Sequence, residues 1–234
     1  MGDWFHILVF GYYPYLAATV FLAGSLIRFD REQYTWRSGS SQLLRRHQLM
    51  MGSVLFHVGI LFLFFGHLVG LLTPREIYHA VGLTSSAKQV MAIVAGGVAG
   101  AVCFVGLTML LHRRLLDPRI RKTSSAMDIA ILVILWLQLV LGMVTLPFSW
   151  AHRESGDVMV TLSLWAQKIV TFQADAALHV VDVSWVYKAH IALGLTIFLV
   201  FPFSRLVHIW SAPVGYLGRR GYQVVRSRDH KRTA

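Results

Sequence analysis

The sequence predicts an all-α integral membrane protein of five transmembrane helices, N-terminus outside and C-terminus in the cytoplasm, with a short amphipathic helix along the outer surface. Three observations predict it. First, 56% of the 234 residues are hydrophobic and 14% charged, against roughly 45–50% and about 25% in soluble domains. Second, five runs with little or no charge, at 6–27, 49–72, 89–111, 129–150 and 189–204, suit the ~20 residues that a helix needs to cross the hydrocarbon core. In lipid such runs pair their backbone groups within the segment, as helices rather than barrel strands. Third, the basic residues behind the net charge of +11 fall in alternate connections. Segment 28–48 holds Arg28, Arg31, Arg37, Arg45 and Arg46; segment 113–126 holds Arg113, Arg114, Arg119, Arg121 and Lys122; and the tail beyond Arg205 is basic again. The intervening connections are sparse in Lys and Arg, the pattern of positive-inside topology. Topology therefore accounts for the charge and no nucleic-acid partner is expected, while a basic cytoplasmic face can still meet acidic subunits or anionic lipid.

Taken in order, the first span ends near Arg28 and leads through FDREQYTWRSGSSQLLRRH, a polar cytoplasmic connector. No basic n-region or cleavage pattern marks its start as a signal peptide, so the first helix is expected to be retained. The second span runs outward to the Thr73-Pro74 turn. The third returns with Gly96, Gly97 and Gly100, whose spacing is expected to admit a neighbouring backbone. The fourth runs outward to Pro147, and segment 158–172 has the amphipathic character of a helix lying on the membrane surface. The fifth returns inward between Lys188 and Arg205, whose long stems can snorkel, and is expected to kink at Pro202. Residues 1–234 read as one membrane domain ending in a basic cytoplasmic tail over 211–234.

Four histidines sit within the second and fifth spans: His57 and His67, then His190 and His208. Ionisable residues in such positions mark functional sites. The antiparallel run of the spans pairs His57 with His208 toward the cytoplasm and His67 with His190 toward the outside, and two facing imidazoles can hold one haem iron at its two axial positions. Cys103 is the single cysteine and no CxxCH site exists, so two b-type haems are expected rather than c-type. The spacings along the two spans differ, ten residues on the second against eighteen on the fifth, or roughly 15 Å against 27 Å of α-helix; tilt and the Pro202 kink are expected to reconcile them. On a continuous helix His190 and His208 share a face. His6, His47, His79, His112, His152, His179 and His230 fall near span ends or in loops and are read as interfacial or solvated.

Around these, Arg205, three residues before His208, is a candidate partner for a haem propionate, with Arg113 and Arg114 weaker candidates. Lys88 opens the third span at the outer side, where a cation can hydrogen-bond a quinone carbonyl and stabilise its anionic forms. Gly66 and Gly70 flank His67 and leave room for a flat ring. A transporter whose histidines bind a metal or relay protons is the competing class, disfavoured by the scarcity of intramembrane carboxylates.

YPY at 13–15, QYTWR at 33–37, FHVGIL at 56–61, GHLVGLLTP at 66–74, AKQVMA at 87–92, Arg113-Arg114, LPFS at 146–149 and FPFSRLVHIWSAPVGYL at 201–217 together resemble the gamma subunit of respiratory nitrate reductase, the di-haem cytochrome b of that enzyme. The resemblance implies haem ligation by His57, His67, His190 and His208, and oxidation of menaquinol or ubiquinol beside the outer haem near Lys88 and His67. It further implies electron transfer to a cytoplasmic iron–sulfur beta subunit and a molybdenum alpha subunit that reduces nitrate, in a bacterial or archaeal cytoplasmic membrane. Iron–sulfur and molybdenum centres would belong to those partners. A di-haem anchor of another quinone-linked complex, such as a formate dehydrogenase, hydrogenase or heterodisulfide-reductase-like assembly, is the alternative within redox function.

Overall fold

The computed structural model describes residues 2–36 and 44–212, with Gly215 and Gly218; Arg37, His230 and most of the 211–234 tail lie outside the described residues. Five helices are long and apolar enough to cross a membrane: α1 (Trp4–Arg31), α2 (Arg46–Leu72), α4 (Ser85–Leu116), α6 (Ala126–Ala151) and a fifth span over Trp185–Phe203 whose α-helical part, α8, is Trp185–Val200. Shorter helices join them: α3 (Arg75–Ala80) and α5 (Pro118–Lys122). Another, α7 (Asp157–Val170), lies within the segment expected on the surface. No strand occurs among the described residues. Exposed Val54, Val58, Phe62, Phe65 and Val69 on α2 are what a lipid-facing surface requires, because hydrocarbon offers no drive to turn them inward.

Local chemistry starts the helices where they start. The Thr84 hydroxyl accepts from Ala87 N at 3.1 Å and opens α4. Ser125 and Asp128 exchange side-chain-to-backbone bonds, each 3.1 Å, in a capping box that opens α6, a device that satisfies two otherwise orphaned donors. Asp117 caps α5 through Arg119 N and Ile120 N. Pro147 sits inside α6, which continues past it to Ala151.

The spans pack in the spatial order α2, α4, α6, α8, α1, with the tightest seam between α2 and α4. Glycines make that seam, although not those expected. A Cβ on Gly59 would lie 2.6 Å from Cys103 Cβ and one on Gly106 2.3 Å from Phe56 N. At Gly96 nothing lies within 4 Å, while Gly97 and Gly100 face the Leu146 and Met143 side chains at an ordinary 3.6 Å. The Gly96, Gly97 and Gly100 spacing therefore admits no neighbouring backbone. Gly52 and Gly59, seven residues apart and hence on one face, do so instead.

Side-chain bonds gather the two ends of the bundle. At one, Arg28, Arg45, Arg113, Arg114 and Arg205 meet Asp117, Asp128 and the carbonyls of 44, 202 and 204. At the other, α7 lies across the ends of the spans. Gln167 Nε2 donates to Leu71 O and Thr73 O, Ser163 Oγ to Gly70 O, Trp165 Nε1 to Phe10 O, and Tyr15 O–H to Ile169 O. The Gln167 and Ser163 bonds serve carbonyls left over where α2 ends. Trp165, Ala166, Phe10 and Val180 form the apolar core beneath.

The fifth span departs from a kinked helix. It is α-helical only to Val200, turns 3₁₀ over Phe201–Phe203, is extended at Ser204 (φ −115°, ψ 177°) and resumes as 3₁₀ over Arg205–Ser211. Pro202 has no N–H to donate. The carbonyls released beyond it accept from a residue on another helix: Arg28 Nη1 donates to Pro202 O at 2.7 Å and Ser204 O at 2.8 Å, and Nη2 to Thr35 O at 2.9 Å. Ser204 Oγ accepts from Leu206 N. His190 and His208 therefore do not share one continuous helix, and a break stands where a kink at Pro202 was expected.

Candidate functional site

The two proposed pairs meet. His57 and His208 have ring centroids 6.4 Å apart, and His67 and His190 6.2 Å apart. Two imidazoles on opposite sides of one metal atom, with nitrogen–metal bonds of about 2 Å and ring bonds of about 1.33 Å, would place their centroids about 6.3 Å apart. No cluster of three or more His, Cys, Asp or Glu occurs among the described residues. Two imidazoles per site thus suit a metal whose remaining donors come from a macrocycle, and the residues fit haem.

Hydrogen bonding fixes which nitrogen is offered. A carbonyl can only accept, so an imidazole nitrogen beside one carries the proton. His57 Nδ1 donates to Ser53 O (2.7 Å), His67 Nδ1 to Leu63 O (2.7 Å) and His208 Nδ1 to Arg205 O (2.6 Å). Each leaves the Nε2 lone pair for a ligand, the arrangement by which a second bond orients a metal-binding imidazole. The step of three residues to Arg205, rather than four, follows from the 3₁₀ geometry around His208. His190 differs: its Nε2 accepts from Gln138 Nε2 at 3.5 Å, so that lone pair is engaged by an amide that a metal would have to displace. Gly142 makes room for its ring, since a Cβ there would lie 2.9 Å from His190 Cε1. His190 Nδ1 and Gln138 Oε1 are buried without partners, which marks this corner of the site as polar in an apolar span.

Gly66 and Gly70 have nothing within 4 Å of a would-be Cβ, so the face of α2 around His67 is open, as a flat ring beside it needs. Lys88 is 5% exposed in the first turn of α4. Its Nζ has no hydrogen-bond partner and lies 4.0 Å from the centroid of the Tyr78 ring.

The three arginines all carry protein partners. Arg113 Nη2 donates to Leu44 O at 2.6 Å, and Arg114 Nη1 donates to Ser124 Oγ at 2.8 Å and lies 3.6 Å from Asp128. Arg205 Nε lies 3.7 Å from the same carboxylate. Of the three, Arg205 is bonded directly to a histidine of the site, through its carbonyl to His208. Sequence reasoning missed Arg28, Gln138, Gly142 and Tyr78. Gln138 was readable in principle as an amide within an otherwise apolar run, and Tyr78 as one turn after Pro74.

Comparison with known proteins adds a family. The model of the nitrate reductase gamma subunit matches residues 6–228. The chain belongs to the nitrate reductase gamma subunit family. Within it, the chain is similar to the respiratory nitrate reductase 1 gamma chain of Escherichia coli K12, 49% identical over 95% of this chain and 98% of that one. The nitrate reductase gamma chain of Bacillus subtilis 168 is 39% identical over 95% of this chain and 98% of its own length. The respiratory nitrate reductase 2 gamma chain of Escherichia coli K12 is 49% identical over 97% of this chain and 100% of its own. Membership in this family and five candidate spans make this gamma subunit a multi-pass membrane protein.

Proposed function

We propose that this chain oxidises quinol in the membrane and passes the electrons to the nitrate-reducing subunits of a respiratory nitrate reductase. His57 and His208 hold one b-type haem, and His67 and His190 hold the second. When bound, these groups would supply single-electron transfer. The observation that carries the proposal is the meeting of two histidine pairs at 6.4 and 6.2 Å in a chain of this family.

The protein's own part is orientation and charge. Carbonyl-bound Nδ1 atoms hold three imidazoles with Nε2 toward the ligand, and the fourth, His190, would exchange the Gln138 amide at its Nε2 for the metal. Lys88 keeps an unpartnered ammonium for a quinol oxygen, where a donor favours the anion formed as a proton leaves. With the N-terminus outside, Lys88, His67 and His190 lie toward the outer face of a bacterial cytoplasmic membrane. The arginine-rich end then faces the cytoplasm, where it docks an iron–sulfur beta subunit and, through it, a molybdenum alpha subunit. Menaquinol or ubiquinol is the substrate, and Arg205 the best placed of the arginines for a propionate.

The test is quinol-driven haem reduction in the purified complex. Lys88→Ala is expected to slow reduction by quinol on the order of 100-fold, the loss typical for a single charge-stabilising donor, while dithionite still reduces both haems. Reduction of Lys88→Ala by quinol at the unaltered rate would remove the lysine from the site.

A further inference from the structure

We propose that Tyr78, Ser85 and His79 form the route by which protons leave the oxidised quinol, an inference that rests on the reading of Lys88 as part of the quinol site. Lys88 Nζ lies over the Tyr78 ring, so an oxygen hydrogen-bonded to that ammonium comes within reach of the phenol hydroxyl at the rim of the same ring. Tyr78 and Ser85 are 6% and 7% exposed, and their hydroxyls are 3.2 Å apart. Ser85 Oγ is in turn 3.2 Å from His79 Nε2, and the His79 ring reaches the surface. Every member of this chain can accept one proton and give up another: a hydroxyl is both donor and acceptor, and neutral imidazole has one nitrogen of each kind. A buried ammonium site is thereby joined to solvent through three side chains.

The local fold assembles the chain. On α3, Arg75, Tyr78 and His79 are three and four residues apart and share a face. Gly82, at φ +81°, permits the turn that brings the first residue of α4, Ser85, back against α3. Gly156, at φ +71°, packs on Ser85, where a Cβ would fall 2.5 Å from the Ser85 carbonyl carbon. Arg75 Nε donates to the same His79 Nε2 at 3.4 Å, an exposed contact that must part for that lone pair to take a proton from Ser85. Beside Tyr78, a cleft of about 210 Å³ is lined by Thr73, Arg75, Glu76, Ser163 and Gln167, polar and roomy enough for water.

The balance is that of quinol oxidation. Each quinol breaks two O–H bonds, loses two electrons singly to the oxidised haem, and loses two protons to the Tyr78 end of the chain. At each hop one bond to hydrogen forms as the next breaks, and a proton is released from His79 to water.

In the purified complex, Tyr78→Phe, Ser85→Ala and His79→Ala are each expected to slow quinol-driven haem reduction on the order of 10-fold to 100-fold, as loss of an acid–base group does. Haem content, dithionite-reduced spectra and affinity for a non-oxidisable quinol analogue should stay unchanged. Added imidazole should restore His79→Ala and leave Ser85→Ala slow, a rescue that a merely structural histidine would not show. Unaltered rates in Tyr78→Phe and His79→Ala, or no rescue by imidazole, would overturn the route while quinol still reduces the unsubstituted complex. Failure of quinol to reduce the unsubstituted complex would overturn the quinol site and the route together.

Discussion

Arg28 shows how much of an apparent ligand site is set by a side chain that touches no ligand. One guanidinium from α1 serves three carbonyls, of Pro202, Ser204 and Thr35, and so holds the 3₁₀ segment from which His208 reaches His57. Hydrogen bonds to a charged donor contribute about 1.5–3 kcal/mol each, and their loss near the hydrocarbon leaves carbonyls that little else can serve. Arg28→Gln is therefore expected to lose or weaken the haem of the His57–His208 pair while leaving the other, read as selective loss of one component in a redox titration. Equal loss of both would make Arg28 a general stabiliser of the fold. The four histidines were legible because imidazole is conspicuous in an apolar run and antiparallel spans sort it into pairs. Arg28 was not, because the two acceptors by which it holds the fifth span lie 174 and 176 residues away in sequence and nothing local distinguishes it from a snorkelling span-end cation.

Among the helices, the α2–α4 seam carries the clearest energetic consequence. Gly106→Ala would force a methyl against Phe56 N and Gly52 O, and overpacking of this kind costs about 1–3 kcal/mol. Gly96→Ala meets nothing within 4 Å and removes a glycine, worth roughly 0.8–1 kcal/mol of helix propensity. Thermal unfolding of the purified complex should fall for the first and hold or rise for the second; the reverse order would place the close approach at Gly96 instead. The five spans and α7 could be read from run length and periodicity, which depend on each segment alone. Which glycines meet a neighbour depends on how the helices are rotated against each other, and a three-residue spacing does not determine that. The fifth span was half legible: Pro202 announces a break, but the return of the chain as 3₁₀ rather than α depends on Ser204 capping and on Arg28.

The whole molecule is a bundle with two unlike ends, joined by two antiparallel spans that carry facing imidazoles. One end gathers arginines with Asp117 and Asp128; the other is closed by α7 and holds a buried lysine against a tyrosine. Such polarity suits electron transfer along the membrane normal, with substrate at one end and partner subunits at the other. Electron transfer along this axis requires each histidine pair to hold its own haem. The most direct test is haem stoichiometry by pyridine haemochrome with redox-resolved spectra, on the unsubstituted complex and on His57→Ala, His67→Ala, His190→Ala and His208→Ala. Two b haems per chain are expected, with His57→Ala and His208→Ala losing the same one and His67→Ala and His190→Ala losing the other. A haem-free complex assembled with haem available, or losses that group the histidines in any other way, would contradict it.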